Sequence, residues 1–269
     1  LFCICMVALT IDIYALQNTK LNIEGSLNFI SHDYSLFPNL KFTFDDDTKT
    51  ATVAAAKTSI SGQIEVPSHV RKGTVVYIVN EVADDGFKDC SEMTSITLPE
   101  TIKTISSGAF VNCTKLTDMA IPSSVESIEA HMNSGIEDSK KRVFFESAFL
   151  NTPFLQNSNG IYTCKDGKKI LLRATTATVV TPTVTTTTTF DLSNVYLIAG
   201  GAFSNCQKIE NITIPNTVKY IGNFAFHGCS SLKQIEIPAS LKLMYENSFI
   251  MLDVEHLNEE TQLDVITIS

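Results

Sequence analysis

Cys90 and Cys113 stand 23 residues apart, and so do Cys206 and Cys229. Thiols at a fixed spacing could bridge, hold a metal, or simply be buried. If units of that length stack as neighbouring strands, their backbones lie ~4.8 Å apart. That falls within the ~4.4–6.8 Å between Cα atoms that a disulfide tolerates. Equivalent side chains of stacked units point in parallel, however, which suits the S–S torsion poorly. Buried free thiols are therefore the favoured reading, with the bridged form left open. No C-x-x-C pair and no Cys/His group with zinc spacing occurs.

Other reactive side chains are as sparse. His32, His69, His131, His227 and His256 are scattered, and no G-x-S-x-G elbow accompanies them. His227 reads as a solvent-facing residue of a turn. Asp45, Asp46 and Asp47 form an acidic run that a cation could use. They lie between two strand-like runs, with Thr48 and Lys49 following, so an exposed hairpin turn is the better reading. Neither a phosphate loop nor a dinucleotide fingerprint is present. No catalytic, cofactor or metal residue is assigned, and an enzyme is not expected. The tripeptides Asn112-Cys113-Thr114 and Asn211-Ile212-Thr213 match the glycosylation acceptor pattern, and chance accounts for both.

The elements that must position these residues are legible in a repeat. Phe87 and Phe110 are 23 residues apart, as are Phe203, Phe226 and Phe249; Pro99 and Pro122, and Pro215 and Pro238, keep the same spacing. One unit is LPETIKTISSGAFVNCTKLTDMA (98–120) and another IPNTVKYIGNFAFHGCSSLKQIE (214–236). The shared pattern is I-P-x-x-V-x-x-I-x-x-x-A-F-x-x-C-x-x-L-x-x-I-x. Each unit is too short to bury its own apolar side, so neighbours must stack on one continuous core. Leu232, Ile235 and Ile237 supply a short strand whose alternate residues point inward. The Pro after that strand ends it. The V-x-x-I residues plug the core across the turn, and the A-F pair suits a short helical turn.

This unit resembles the BspA-like leucine-rich repeats of bacterial and protist surface proteins, over roughly residues 64–252. The resemblance implies an α/β repeat solenoid. It would be a leucine-rich-repeat coil with a 23-residue period, short parallel strands on its concave face and short helical turns on its convex side. FTFDDDTKTATV (42–53), SGQIEVPSHV (61–70) and KGTVVYIVNEV (72–82) resemble the capping strands that open such proteins. The departures fall mid-chain. Gly86 replaces the Ala before Phe87. The unit starting at Ile121 breaks after Met132 and resumes at Ser147, Ala148 and Phe149, with Asn151 and Thr152 in the Cys region. SNGIYTCKDGKKILL (158–172) reads as a β-hairpin around Asp166-Gly167. The Thr-rich stretch 181–189 reads equally as a strand or an O-glycosylated stalk.

The expected organisation is a signal segment at 1–16, an N-terminal β cap at 17–63, repeat blocks at 64–132 and 190–252, a β-hairpin interruption at 133–189, and a C-terminal cap or tail at 253–269. The apolar run that opens the chain is too short for a span and meets Asp12, which suits a signal h-region; a buried N-terminal strand is the alternative. No later segment is expected to span a membrane. A net charge of -9 over 269 residues argues against nucleic acid or an anionic membrane as partner.

What remains is binding. In each strand, the residues alternating with the buried ones should face outward: Ser95 and Thr97, Asp118 and Ala120, Asn211 and Thr213, Gln234 and Glu236. This small, mildly acidic strip on the concave face is the expected partner site; a plain solvated face is the alternative. The family resemblance implies adhesion, so the expected partner is a protein, such as a host extracellular-matrix protein, met by a secreted or cell-surface chain. The alternative is a structural or assembly component of the cell envelope that self-associates. A carbohydrate-handling enzyme would need a carboxylate pair on a rigid cleft, and the strip offers only isolated acids.

Overall fold

The computed structural model describes residues 32–133, 144–174, 179–180, 189–190, 192–206, 209–245, 247–248 and 265–268. The expected signal segment, the tip of the insertion, Phe249, and most of the Thr-rich and C-terminal stretches lie outside them.

The chain folds almost wholly into short strands. Leu40–Asp45 and Thr50–Ala55 pair antiparallel across the Asp45–Thr50 turn, with Leu40 and Phe42 buried on one face. Thr50–Ala55 runs parallel to Val75–Val82, which also forms a hairpin with His69–Lys72. Lys49 takes φ 57° in the first turn, and Gly73 takes φ 63° in the second.

Beyond this cap each sequence unit contributes two strands, not one. The L-x-x-I-x-I residues build the expected parallel sheet, in which Ser61–Glu65, Glu92–Thr97 and Asp118–Ala120 lie side by side. The V-x-x-I residues, read from sequence as a core plug, form strands too. Val82 pairs with Ile105, and Ile105 with Ile128. Farther on, Asn211–Thr213, Gln234–Ile237 and Val265–Ile268 repeat the first arrangement. Lys169–Leu171, Val195–Ile198, Tyr220–Ile221 and Leu243–Met244 repeat the second. The strands of the first set alternate buried and outward residues, as in Asn211–Thr213, whereas Val195–Ile198 of the second is buried throughout.

The A-F segments are turns, and this corrects the expected helical turns and the α/β class. The described residues hold one five-residue α-helix, Pro153–Asn157, and one 3-10 turn, Tyr34–Leu36. Left-handed residues interrupt any helix: Asp85 and Asp89, Gly108 and Asn112, Gly201 and Asn205 all have φ between 50° and 67°. Asp, Asn and Gly reach that region at least cost. The amides this frees bond to the neighbouring unit. Phe87 N–H donates to Ala109 O at 2.7 Å, Phe110 N–H to Ala148 O at 3.0 Å, and Phe203 N–H to Ala225 O at 2.7 Å.

Those turns carry a stack of rings. Phe87 lies 5.5 Å from Phe110, and Phe110 lies 5.4 Å from Phe149, with planes within 9°. Phe203 and Phe226 stack at 4.9 Å. Phe149 thus takes the next rung after Phe110 despite the longer sequence gap. The intervening segment leaves as a hairpin, His131–Asn133 against Phe144–Glu146, and the unit resumes. The hairpin around Asp166-Gly167 also forms, with Ile161–Thr163 antiparallel to Lys169–Leu171. Its second strand then continues in parallel pairing with Val195–Ile198. Within the Thr-rich region, Val179–Val180 pairs with Thr189–Phe190.

Buried side chains fall into two clusters, one running from Leu40 to Ala199 and one from Leu171 to Ile237. They meet where the two repeat blocks meet. Gly200 N–H donates to Ile128 O at 2.7 Å, and Ala130 N–H donates to Asn223 Oδ1 at 2.7 Å.

Candidate functional site

The eight residues of the expected strip fall on two separate sheets. Ser95 and Thr97 stand opposite Asp118 and Ala120 on the first. Asn211 and Thr213 stand opposite Gln234 and Glu236 on the second. Thr97, Asp118, Asn211, Thr213 and Gln234 are exposed, while Ser95, Ala120 and Glu236 are half-buried. Among the described residues no strand pairing joins the two sheets. Each face is flanked by an exposed ion pair, Lys115–Glu92 at 2.6 Å and Lys233–Glu210 at 3.2 Å. Thr213 Oγ1 donates to Glu236 Oε2 at 3.2 Å. Exposed pairs of this kind contribute about 0–1 kcal/mol each, so the faces hold polar groups that folding scarcely uses.

The five described cysteines are free thiols, all but Cys206 fully buried. Burial pushes Cys90 up to about 11 and Cys113 and Cys229 to about 12. Cys113 Sγ donates to Phe87 O at 3.0 Å, and Cys229 Sγ to Phe203 O at 3.2 Å. A thiol so placed is neither nucleophile nor ligand at neutral pH. Asp45 accepts from the amides of Asp47 and Thr48 at 2.8 and 3.1 Å, so the acidic run caps a turn. Among the described residues no group of three His, Cys, Asp or Glu could hold a metal ion. His227, expected at the surface, is only 7% exposed and lies edge-on to Phe224. Its carbonyl receives the Asn205 amide of the preceding unit at 2.7 Å, which sets its turn against that unit.

Reading unit by unit missed a groove along the V-x-x-I strands of both blocks, with a volume of about 610 Å³. Four lysines line it, Lys103, Lys168, Lys219 and Lys242, against two carboxylates, Glu126 and Asp166. Among the described residues its aromatic side chains are Tyr196 and Tyr220, and no Leu, Ile, Val or Phe side chain lines it. The ladder that positions these residues is continuous on each side. Glu126 N–H donates to Lys103 O at 2.8 Å, Lys219 N–H to Tyr196 O at 2.7 Å, and Lys242 N–H to Lys219 O at 2.8 Å. Tyr196 bridges the blocks, its hydroxyl donating to Val125 O at 3.1 Å. The Asp166-Gly167 turn supplies the remaining wall.

Within the groove Lys103 pairs with Glu126 at 3.0 Å and Lys168 with Asp166 at 2.8 Å. The Lys168 ammonium lies 5.6 Å from the Tyr196 ring, and Tyr196 and Tyr220 meet edge to face at 6.4 Å. The hydrogen bond to Lys168 holds Asp166 below the usual carboxylate range, and its counterpart raises Lys168. Burial drives the Tyr196 hydroxyl far up, so it stays protonated. Lys219 Nζ donates to Asn216 O at 2.7 Å, and Lys242 Nζ has no partner among the described residues. A signal for this groove was present in the sequence. Lys103, Glu126, Lys219 and Lys242 all occupy the first variable place of V-x-x-I.

Comparison with known proteins places the chain among repeat proteins. No curated protein matches it. A leucine rich repeat protein of T. pallidum is similar at 20% identity, over 74% of this chain and 69% of that one, with a TM-score of 0.39. A leucine-rich repeat protein from Bacteroides ovatus is similar at 22% identity, over 76% of this chain and only 47% of the other, with a TM-score of 0.36. A leucine rich cell surface protein from Faecalibacterium prausnitzii is similar at 17% identity, over 86% and 93% of the two chains, with a TM-score of 0.25. The model of the BspA type leucine rich repeat region matches in six copies over residues 68–161 and 185–269, and the chain belongs to that family.

Proposed function

We propose that the chain is a non-enzymatic, secreted or cell-surface repeat protein that binds other proteins and serves adhesion to host matrix or cell surfaces. In this reading the paired strands and stacked phenylalanines are successive turns of one solenoid with a 23-residue period. Its organisation follows the sequence boundaries: a signal segment at 1–16, a β cap to 63, repeat blocks at 64–132 and 190–252 around the hairpin interruption, and a closing segment at 253–269. Partners dock on the faces carrying Ser95, Thr97, Asp118 and Ala120, and Asn211, Thr213, Gln234 and Glu236. The observation that carries this reading is the exposure of polar side chains on strands whose backbones are already paired. Such faces, built on strands already paired, are what repeat proteins offer a partner.

A second reading, self-association in an envelope assembly, rests on one feature. Leu243 and Met244, on the last strand of their sheet in strand order, are 41% and 37% exposed. The two readings separate in one experiment. The purified chain is passed over immobilised host matrix proteins at physiological salt, and its mass is followed by analytical ultracentrifugation. Saturable binding by a monomer supports adhesion. A folded chain that binds none of them and assembles with rising concentration overturns it.

A further inference from the structure

We propose that the lysine- and tyrosine-lined groove is a second binding site, specific for an acidic oligosaccharide bearing uronate carboxylates. The chain carries a net charge of -9, yet this groove holds four lysines and two carboxylates, a net excess of two positive charges. A cleft whose sign opposes that of the whole molecule concentrates small anions locally. The same overall charge repels dense polyanions, which present many charges beyond the groove.

Two of the four lysines lack a carboxylate partner among the described residues. Lys103 and Lys168 are neutralised by Glu126 and Asp166. Lys219 is held only by the neutral carbonyl of Asn216, and Lys242 has no partner among the described residues. Tyr220–Ile221 and Leu243–Met244 are parallel neighbours, so the two lysines just before them are one strand spacing apart, ~4.8 Å. That spacing is between backbones, and the flexible side chains can bring both ammonium groups onto one carboxylate.

The remaining lining favours sugar over peptide. A peptide is anchored by apolar side chains in pockets or by an added strand, and this groove offers no aliphatic wall. The Lys103–Glu126 and Lys168–Asp166 pairs present donors and acceptors together, which suits the hydroxyls of a sugar ring. Ser123 and Thr217 add hydroxyls. Tyr220, half-buried beside Tyr196, supplies an aromatic ring against which a pyranose can pack. The volume of about 610 Å³ lies inside the ~300–1,000 Å³ of ordinary ligand sites, enough for a short oligosaccharide.

Isothermal titration of the full chain with a hyaluronan hexasaccharide tests this, with maltohexaose as the neutral control and hexaglutamate as the acidic peptide. The expected result is saturable hyaluronan binding that weakens with added salt, with maltohexaose bound at least about tenfold more weakly. Lys219→Gln and Lys242→Gln each weaken it by about tenfold or more, Lys242→Arg retains it, and Tyr220→Ala weakens it. Lys115→Gln and Lys233→Gln, on the other sheets, leave it unchanged. Circular dichroism confirms that each variant is folded. No binding by the folded chain overturns the proposal, as does binding indifferent to Lys219 and Lys242. Hexaglutamate bound as tightly through the same lysines replaces the sugar with an acidic peptide and overturns it equally.

Discussion

Cys113 and Cys229 show how one residue serves two masters. Each fills the core as a small apolar side chain, and each also passes its S–H to the phenylalanine carbonyl of the preceding unit. Spacing alone showed that these cysteines recur, and parallel stacking argued against bridges. The thiol hydrogen bond needed the neighbouring backbone and was not legible. Glu129 is the opposite case, a carboxyl held where its charge is unwelcome. Burial raises it above the usual range, Asp84 and Glu81 raise it further, and a hydrogen bond from the Ser107 backbone only partly offsets them. A carboxyl raised by folding contributes fully to stability below its unfolded value and loses that contribution as pH climbs through its folded value. Glu129→Gln should therefore melt higher than the parent chain at pH 7, with the gain shrinking as pH falls toward about 4.5 and smallest below it. Equal differences at both pH values, followed by thermal unfolding, would contradict that assignment.

At the scale of elements, the phenylalanine rungs and the strand of each unit were readable from a fixed spacing, because only one side-chain size fits each wedge. Two things were misread. The A-F segments were expected as helical turns, although Asp89, Asn112 and Asn205 already stood where a left-handed residue ends a helix. The V-x-x-I residues were read as a plug, because two inward residues three apart do not by themselves distinguish a strand from a turn. The asparagines also form a ladder. Asn112 Nδ2 donates to Asp89 Oδ1, and Asn151 Nδ2 to Asn112 Oδ1, both at 2.8 Å. The central ring carries more. Phe110 lies between Phe87 and Phe149 and is fully buried, so Phe110→Ala should cost about 3–5 kcal/mol in denaturant unfolding. Lys115→Gln, which removes only an exposed ion pair, should cost less than about 1 kcal/mol. Comparable losses would mean that the ring stack does not hold the units together.

The whole molecule depends on a joint that no single unit reveals. Gly200 and Gly222 lie where the second block meets the first. A Cβ on Gly200 would collide with Ala130 N, and one on Gly222 would collide with Gly200 N. Backbone cannot yield cheaply there, so Gly200→Ala should destabilise the chain by about 1–3 kcal/mol. Gly167→Ala meets open space and separates clash from backbone conformation, since only its positive φ is strained. A Gly200→Ala variant that unfolds like the parent would remove this joint from the account. The same long-range assembly hid the lysine groove, whose walls come from both blocks and from the Asp166-Gly167 turn. The outward strand residues, by contrast, follow from alternation within each unit, and the structure places them in register on two sheets rather than along one strip.

The central claim is that those polar sheet faces bind a partner protein. Surface plasmon resonance of the parent chain and of an Asp118→Lys, Glu236→Lys variant, against the matrix protein that binds most tightly, tests it most directly. The account predicts saturable binding by the parent and a loss of about tenfold or more in the variant, with its melting temperature unchanged. Undiminished binding by a folded variant would contradict the faces as the site, and a parent that binds no matrix protein would contradict adhesion itself.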